Sequence, residues 1–79
     1  MWEVHYSAES ANYLADNGGL IAPLFFAIEA LAETDGIPTN GEYEATQQSL
    51  FYWIIQGHEV VYRRLKQEQI IRILLIRPE

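Results

Sequence analysis

The last part of this 79-residue chain contains three runs of β-branched and aromatic residues that are separated by very short connections. The runs cover residues 50–55, 60–62 and 70–76, and the connecting segments are residues 56–58 and 66–69. Such side chains favour extended structure. A parallel return to a neighbouring strand needs a crossover of about a dozen residues, so these connections predict three antiparallel strands.

One further strand and two helices are predicted before these runs. Apolar and polar side chains alternate in residues 2–6, which is the period of a half-buried strand. Ser7 is a suitable N-cap for a helix over residues 8–16, and the Asn-Gly-Gly sequence at 17–19 predicts a left-handed cap at its end. Apolar residues then recur with helical spacing over residues 20–32, which predicts the second helix.

Residues 37–47 contain proline, glycine, asparagine and scattered polar residues, and they predict a surface loop. The predicted order is therefore β-α-α-β-β-β. We expect an α+β fold in which two helices pack on one face of an antiparallel sheet. A chain of this length supports one hydrophobic core, so residues 1–79 are expected to form a single domain.

Charge is distributed unevenly along the chain. Residues 1–47 contain eight acidic side chains and no Lys or Arg, whereas residues 48–79 contain all five basic side chains and three acidic ones. The net charge of −6 disfavours long-range attraction of nucleic acid, so a polynucleotide would have to meet the C-terminal part. The N-terminal residues do not resemble a signal peptide and no apolar stretch is long enough to span a bilayer, so a cytoplasmic location without membrane contact is expected.

Motifs with known chemistry are absent from the sequence. There is no cysteine, no phosphate-binding glycine loop, no nucleophile elbow and no metal-ligand spacing. The two histidines, His5 and His58, have no ligand-like neighbour and are expected to be strand or turn residues. The sequence therefore predicts neither a cofactor nor a metal site.

Basic and aromatic residues are interleaved on the predicted C-terminal strands. This cluster comprises Tyr52, Trp53, Tyr62, Arg63, Arg64, Lys66, Arg72 and Arg77. Arginine forks beside aromatic rings suit phosphate binding and base stacking, but the same arginines also suit cross-strand pairing with Glu59 and Glu68. Alternation divides the set, because Arg63 is expected to point to one face and Tyr62 and Arg64 to the other.

The element order and three segments of this sequence resemble the RelE/ParE family of bacterial toxins. The segments are residues 2–11, 56–64 and 70–77, which together extend over nearly the whole chain. The resemblance implies a compact strand-helix-helix-meander fold and an antitoxin protein as partner. It also implies growth inhibition, either by mRNA cleavage on the ribosome or by poisoning of DNA gyrase.

The ribonuclease branch of the family uses basic residues around the turn and at the end of the last strand. In this chain Tyr52 and Ile54 precede the turn, Glu59 follows it, and Arg77 lies near the last basic position. Enzymatic activity is therefore left open. If the chain cleaves RNA, the expected phosphate contacts are Arg63, Arg72 and Arg77, and the expected group for stacking or proton transfer is Tyr52 or Tyr62.

Two alternatives to a toxin are also considered. The first is a non-catalytic interaction module that binds a protein through the open sheet face or an edge strand, which the acidic balance and Glu59 favour. The second is a homodimer in which exposed Trp53 and Phe51 are buried against a second copy.

Overall fold

The computed structural model describes residues 1–79 and contains two helices, a short 3₁₀ turn and five strands. The elements in chain order are β1 (Glu3–Tyr6), α1 (Ala8–Asn17), α2 (Ala22–Glu29), the 3₁₀ turn (Ala30–Glu33), β2 (Glu42–Ala45), β3 (Leu50–Ile55), β4 (His58–Leu65) and β5 (Ile70–Pro78). The α+β class and the strand-helix-helix-strands order predicted from the sequence are confirmed. Neither helix has the length and continuous apolar sequence that a bilayer-spanning helix requires.

The five strands form one sheet in the order β1-β5-β4-β3-β2. Strands β2 to β5 are antiparallel to their neighbours, as the short connections predict, but β1 lies parallel to β5. The sheet is therefore mixed rather than purely antiparallel. The short-turn argument does not apply to β1 and β5, because the rest of the fold lies between them in the chain.

β2 is a strand where the sequence predicted only loop, and this part of the prediction is wrong. Glu42–Ala45 pairs in register with β3 although glutamate has low strand propensity. Three tertiary features hold it in place. Gly41 has a φ of 76°, the Trp53 indole Nε1 donates to the Asn40 carbonyl oxygen at 2.8 Å, and the Thr46 amide donates to the Leu50 carbonyl oxygen at 2.9 Å.

α1 begins as predicted and ends differently. The Ser7 hydroxyl accepts a hydrogen bond from the Ser10 amide at 3.1 Å, which confirms Ser7 as the N-cap. The predicted left-handed cap is wrong, because Gly18 has φ −44° and ψ −51° and the chain continues in right-handed turns. The Asn17 side-chain amide satisfies the Tyr13 carbonyl instead, at 2.9 Å.

β5 contains a β-bulge opposite Val61 and Tyr62 of β4. Leu74 has no partner on β4, and the register shifts there. The carbonyls around the bulge accept from α1 and its N-cap, since the Ser7 hydroxyl donates to the Leu74 carbonyl oxygen at 3.0 Å and the fully buried Ser10 hydroxyl lies 3.3 Å from the Ile73 carbonyl oxygen. These contacts connect the start of α1 to the middle of β5.

The hydrophobic core lies between the helices and one face of the sheet. Leu24, Ile28 and Leu31 come from the helical layer, and the sheet supplies the remaining large side chains, among them Phe51, Trp53, Val60, Tyr62, Ile71, Ile73 and Ile76. Phe51 and Trp53 are only 5% and 2% exposed. The prediction that these two residues are exposed is therefore wrong, because both side chains belong to the core. A homodimer stays a prediction, but these two side chains cannot form its interface.

Candidate functional site

The face of the sheet that the helices leave uncovered, here called the open face, contains all three arginines predicted to bind phosphate. Arg63 on β4 lies directly opposite Arg72 on β5. Opposite residues on one face have Cβ atoms about 4.5–5.5 Å apart, so the two side chains are neighbours. The Arg63 guanidinium donates to the Gln48 carbonyl oxygen at 2.9 Å, whereas exposed Arg72 makes no side-chain hydrogen bond or ion pair.

Arg77 lies further along the open face and is occupied by a carboxylate. It stands opposite Glu59 in the register, and its Nε donates to Glu59 Oε1 at 2.7 Å in an ion pair. This is the cross-strand pairing that the sequence offered as the alternative to phosphate binding. Arg77 is therefore separated from the Arg63 and Arg72 pair both by position and by its partner.

The two candidate tyrosines lie on different faces. Tyr62 is fully buried on the helix side, where its hydroxyl donates to the Gly36 carbonyl oxygen at 2.7 Å and its ring stacks on Phe51. Burial raises the pKa of the Tyr62 hydroxyl far above its usual range. Tyr52 is on the open face and is 39% exposed, so only Tyr52 can contact a ligand that binds beside the arginines.

The open face is acidic at its β2 end, away from Arg63 and Arg72. A cavity of about 380 Å³ lies there, and it is lined by Glu42, Tyr43, Glu44, Tyr52, Ile54 and Glu59. Of these carboxylates only Glu59 has a cationic partner. The open face is thus positive near Arg63 and Arg72 and negative near β2. An extended polyanion lying across the whole face would meet repulsion at the β2 end.

The two histidines have structural partners. His58 Nε2 lies 2.8 Å from the Tyr13 hydroxyl, and its Nδ1 lies 2.8 Å from the Gln56 carbonyl oxygen. His5 Nε2 lies 2.9 Å from a carboxylate oxygen of Glu3. No group of three His, Cys, Asp or Glu side chains is arranged to hold a metal ion.

A second candidate surface, here called the helical apolar surface, lies between α1 and α2. It surrounds a cavity of about 320 Å³ that is lined by Leu14, Ala15, Gly18, Ile21, Ala22 and Phe25. Phe26 is 67% exposed and packs edge-on against the Phe25 ring, and Leu20 just before α2 is 89% exposed. Leu20 lines a separate cavity that adjoins this one at Ile21. Contiguous exposed apolar patches on soluble proteins mark interaction sites.

The helical apolar surface was not identified from the sequence, although a signal was present. Residues 20–28 are apolar almost without interruption, and a helix that is apolar on all sides must be buried on all sides. One sheet face can cover only one side of such a helix. Leu24 and Ile28 are therefore buried, while Phe25 and Phe26 point outward.

Tyr6 marks the border of this surface beside the sheet. Its ring stacks on Phe25 at 6.4 Å between centroids, and its hydroxyl donates to the Glu29 carboxylate. Burial and the adjacent Glu29 both raise the pKa of Tyr6 far above its usual range. The carboxylate of Glu29 is thereby oriented next to the exposed phenylalanines.

Comparison with protein-family models, with curated proteins and with solved structures found no match to this chain. What the chain does must therefore be inferred from its own contacts, charges and exposed surfaces.

Proposed function

We propose that this chain is a RelE/ParE-like toxin component of a type II toxin-antitoxin module and that it acts in the cytoplasm by binding proteins. The proposal is supported by the order of the elements, with two helices on one face of the sheet. The observation that carries it is the helical apolar surface. A large exposed apolar area on so small a domain is best explained by a protein partner, here the antitoxin.

The size of the apolar contribution can be estimated. Leu20 and Phe26 are 89% and 67% exposed, and full burial of one such side chain contributes about 1.5–3 kcal/mol. The two together contribute about 3–6 kcal/mol, which is close to the binding free energy of a millimolar complex, about 4 kcal/mol. Tight binding of an antitoxin therefore requires contacts beyond these two side chains.

The charge of the domain restricts the partner. Residues 1–47, which include both helices, contain eight acidic side chains and no basic one. A segment that packs on the helical apolar surface is favoured if basic side chains flank its apolar face. We therefore expect the antitoxin to present an amphipathic helix with Lys or Arg beside the apolar stripe.

Ribosome-dependent mRNA cleavage or gyrase poisoning is the activity that the antitoxin would restrain. Cleavage is favoured by one observation, the neighbouring Arg63 and Arg72 with Tyr52 on the same face. Arg77 lies on that face but is paired with Glu59, and Tyr62 is buried on the other face, so three of the five candidate residues are left for RNA. A non-catalytic interaction module on the same scaffold is the second candidate function, and it requires only the protein-binding surface.

Inducible expression in a bacterium, with and without the neighbouring open reading frame, tests the proposal. Growth arrest that the neighbouring product relieves is the expected result. The variant Phe26→Glu should arrest growth as before but escape relief, because a charge is placed in the apolar contact. The matched control is Gln67→Glu, which adds the same charge at an exposed turn and should still be relieved.

Two results would count against this function. Absence of growth arrest at high expression would favour the non-catalytic module. Full relief of the Phe26→Glu variant would mean that the antitoxin binds elsewhere. The double variant Arg63→Ala with Arg72→Ala separates cleavage from binding, since it should abolish RNA cleavage while leaving antitoxin binding intact.

A further inference from the structure

β2 is an edge strand that is paired on one side only. It is the last strand of the sheet, and all four of its residues are exposed. Its beginning is held by the Trp53 indole bonded to the Asn40 carbonyl, and its end by the Thr46 hydroxyl, which accepts from the Gln48 and Leu50 amides at 3.3 Å. An incoming chain would therefore meet a strand that is already ordered.

The hydrogen-bonding pattern determines which backbone groups are free. The Thr46 amide donates to the Leu50 carbonyl, so Thr46 belongs to a pair that bonds toward β3. In an antiparallel ladder the bonded residues alternate, so Glu42 and Glu44 also bond toward β3. The N–H and C=O groups of Tyr43 and Ala45 consequently point away from the sheet and are available to another strand.

The side chains beside this edge differ between its two faces. Glu42 and Glu44 lie on the open face at the 380 Å³ cavity, and neither makes an ion pair. Tyr43 lies on the other face, where its ring stacks on Phe51 at 5.7 Å between centroids. A strand added here would place alternate side chains beside two carboxylates and beside an aromatic ring.

A second copy of this chain is a poor occupant of the edge. Two β2 strands side by side would bring the unpaired carboxylates of Glu42 and Glu44 next to their own copies, and like charges across a ladder are destabilising. Each copy also has a net charge of −6. The complementary occupant is a strand whose side chains on the open face are cationic.

We propose that β2 accepts an extended segment of a partner protein as a sixth strand, with Lys or Arg beside Glu42 and Glu44 and apolar residues beside Tyr43. The backbone groups of Tyr43 and Ala45 form the hydrogen bonds to the added strand, and the carboxylates of Glu42 and Glu44 favour a partner segment with cationic side chains. This extends the proposed protein-binding function by adding a contact at the opposite end of the sheet from β1.

The test uses the intact protein and an acetylated hexapeptide of alternating Lys and Val, with a peptide of alternating Glu and Val as the control. Two-dimensional NMR of the labelled protein should show shifts in residues 42–45 and slowed amide exchange at Tyr43 and Ala45 with the Lys peptide only. The charge-swap variant Glu42→Lys with Glu44→Lys should weaken Lys-peptide binding by about 2- to 30-fold, as expected for two exposed ion pairs. The same variant should gain affinity for the Glu peptide.

Matched variants distinguish the edge from a general charge effect. Asp16→Lys with Glu68→Lys changes the net charge equally at exposed positions away from β2 and should leave the shifts in residues 42–45 unchanged. Ala45→Pro removes an outward N–H without changing charge and should reduce binding by about 2- to 12-fold while the protein stays folded.

Four results would overturn the inference. They are equal binding of both peptides, shifts that lie outside residues 42–45, unfolding of Ala45→Pro, and concentration-dependent self-association through β2 in sedimentation experiments. None of these results bears on relief of growth arrest through Phe26. The strand-addition inference and the proposed function can therefore fail separately.

Discussion

Gly41 makes the close approach of β2 to the sheet possible, and its replacement by alanine provides a quantitative test of this structure. A Cβ atom at this position would lie 2.3 Å from the Ile54 carbonyl oxygen, and Cβ atoms in proteins essentially never approach another atom closer than 3.0 Å. The Gly41 φ of 76° is also unfavourable for alanine. Gly57 has a similar φ of 71° but has open space around its Cα, so Gly57→Ala is a matched control.

The expected loss of stability has two parts. Left-handed backbone at a residue with a Cβ costs about 1–2 kcal/mol, and both variants share this part. Gly41→Ala must in addition move β2 away from the Ile54 carbonyl, which weakens at least one ladder hydrogen bond worth about 0.5–1.5 kcal/mol. We expect about 1.5–3.5 kcal/mol for Gly41→Ala and about 1–2 kcal/mol for Gly57→Ala.

Thermal unfolding followed by circular dichroism provides the measurement. A loss of 1 kcal/mol lowers Tm by about 4–8 °C for a domain of this size, so Gly41→Ala should melt about 2–12 °C below Gly57→Ala. Amide exchange should also become faster in residues 42–45 of the Gly41 variant alone. Equal melting temperatures for the two variants would refute the geometry of β2 described here.

Three further predictions concern the core, a turn and alkaline pH. Tyr62→Phe should lower the free energy of unfolding by about 1–3 kcal/mol in urea titrations, because the buried Gly36 carbonyl loses its donor. Gln56→Asn should raise the free energy of unfolding by up to about 1 kcal/mol, since Gln56 and Gly57 both have positive φ and turns of this type favour Asn-Gly. An unchanged free energy of unfolding would contradict this turn assignment. The free energy of unfolding should fall as pH rises above about 10, because tyrosines ionise there in the unfolded chain while Tyr6 and Tyr62 stay protonated in the folded protein. Tyr6→Phe should make this fall with pH less steep.

The parts of the fold that were predicted correctly depend on local patterns. Two-residue alternation and short connections predict β3, β4 and β5, and the Ser7 hydroxyl predicts the start of α1. These signals act within a few residues, so no knowledge of the rest of the chain is needed. The strand bounds differ mainly in length, because β4 extends over His58–Leu65 once both of its neighbours are present.

The candidate site was predicted only in part. Alternation correctly separates Arg63 from Tyr62 and Arg64, and Arg64 lies on the helix side with its guanidinium 4.9 Å from the centre of the Trp2 ring. The sequence did not predict which arginines lack an ion-pair partner, because the pairing of Arg77 with Glu59 depends on the register between β4 and β5. The roles of Arg63, Arg72 and Tyr52 stay predictions until RNA cleavage is measured.

By itself the sequence determined the type of each strongly periodic segment, since a period of two or of 3.6 residues reports which side of an element is apolar. It did not determine β2, the parallel pairing of β1 with β5, or the exposure of Phe25 and Phe26. Each of these depends on a contact between distant segments: Gly41 against Ile54, Glu3 beside Ile70, and one sheet face covering only one side of α2. The surfaces proposed to bind partners are those that remain after such long-range packing, and only the tertiary structure defines them.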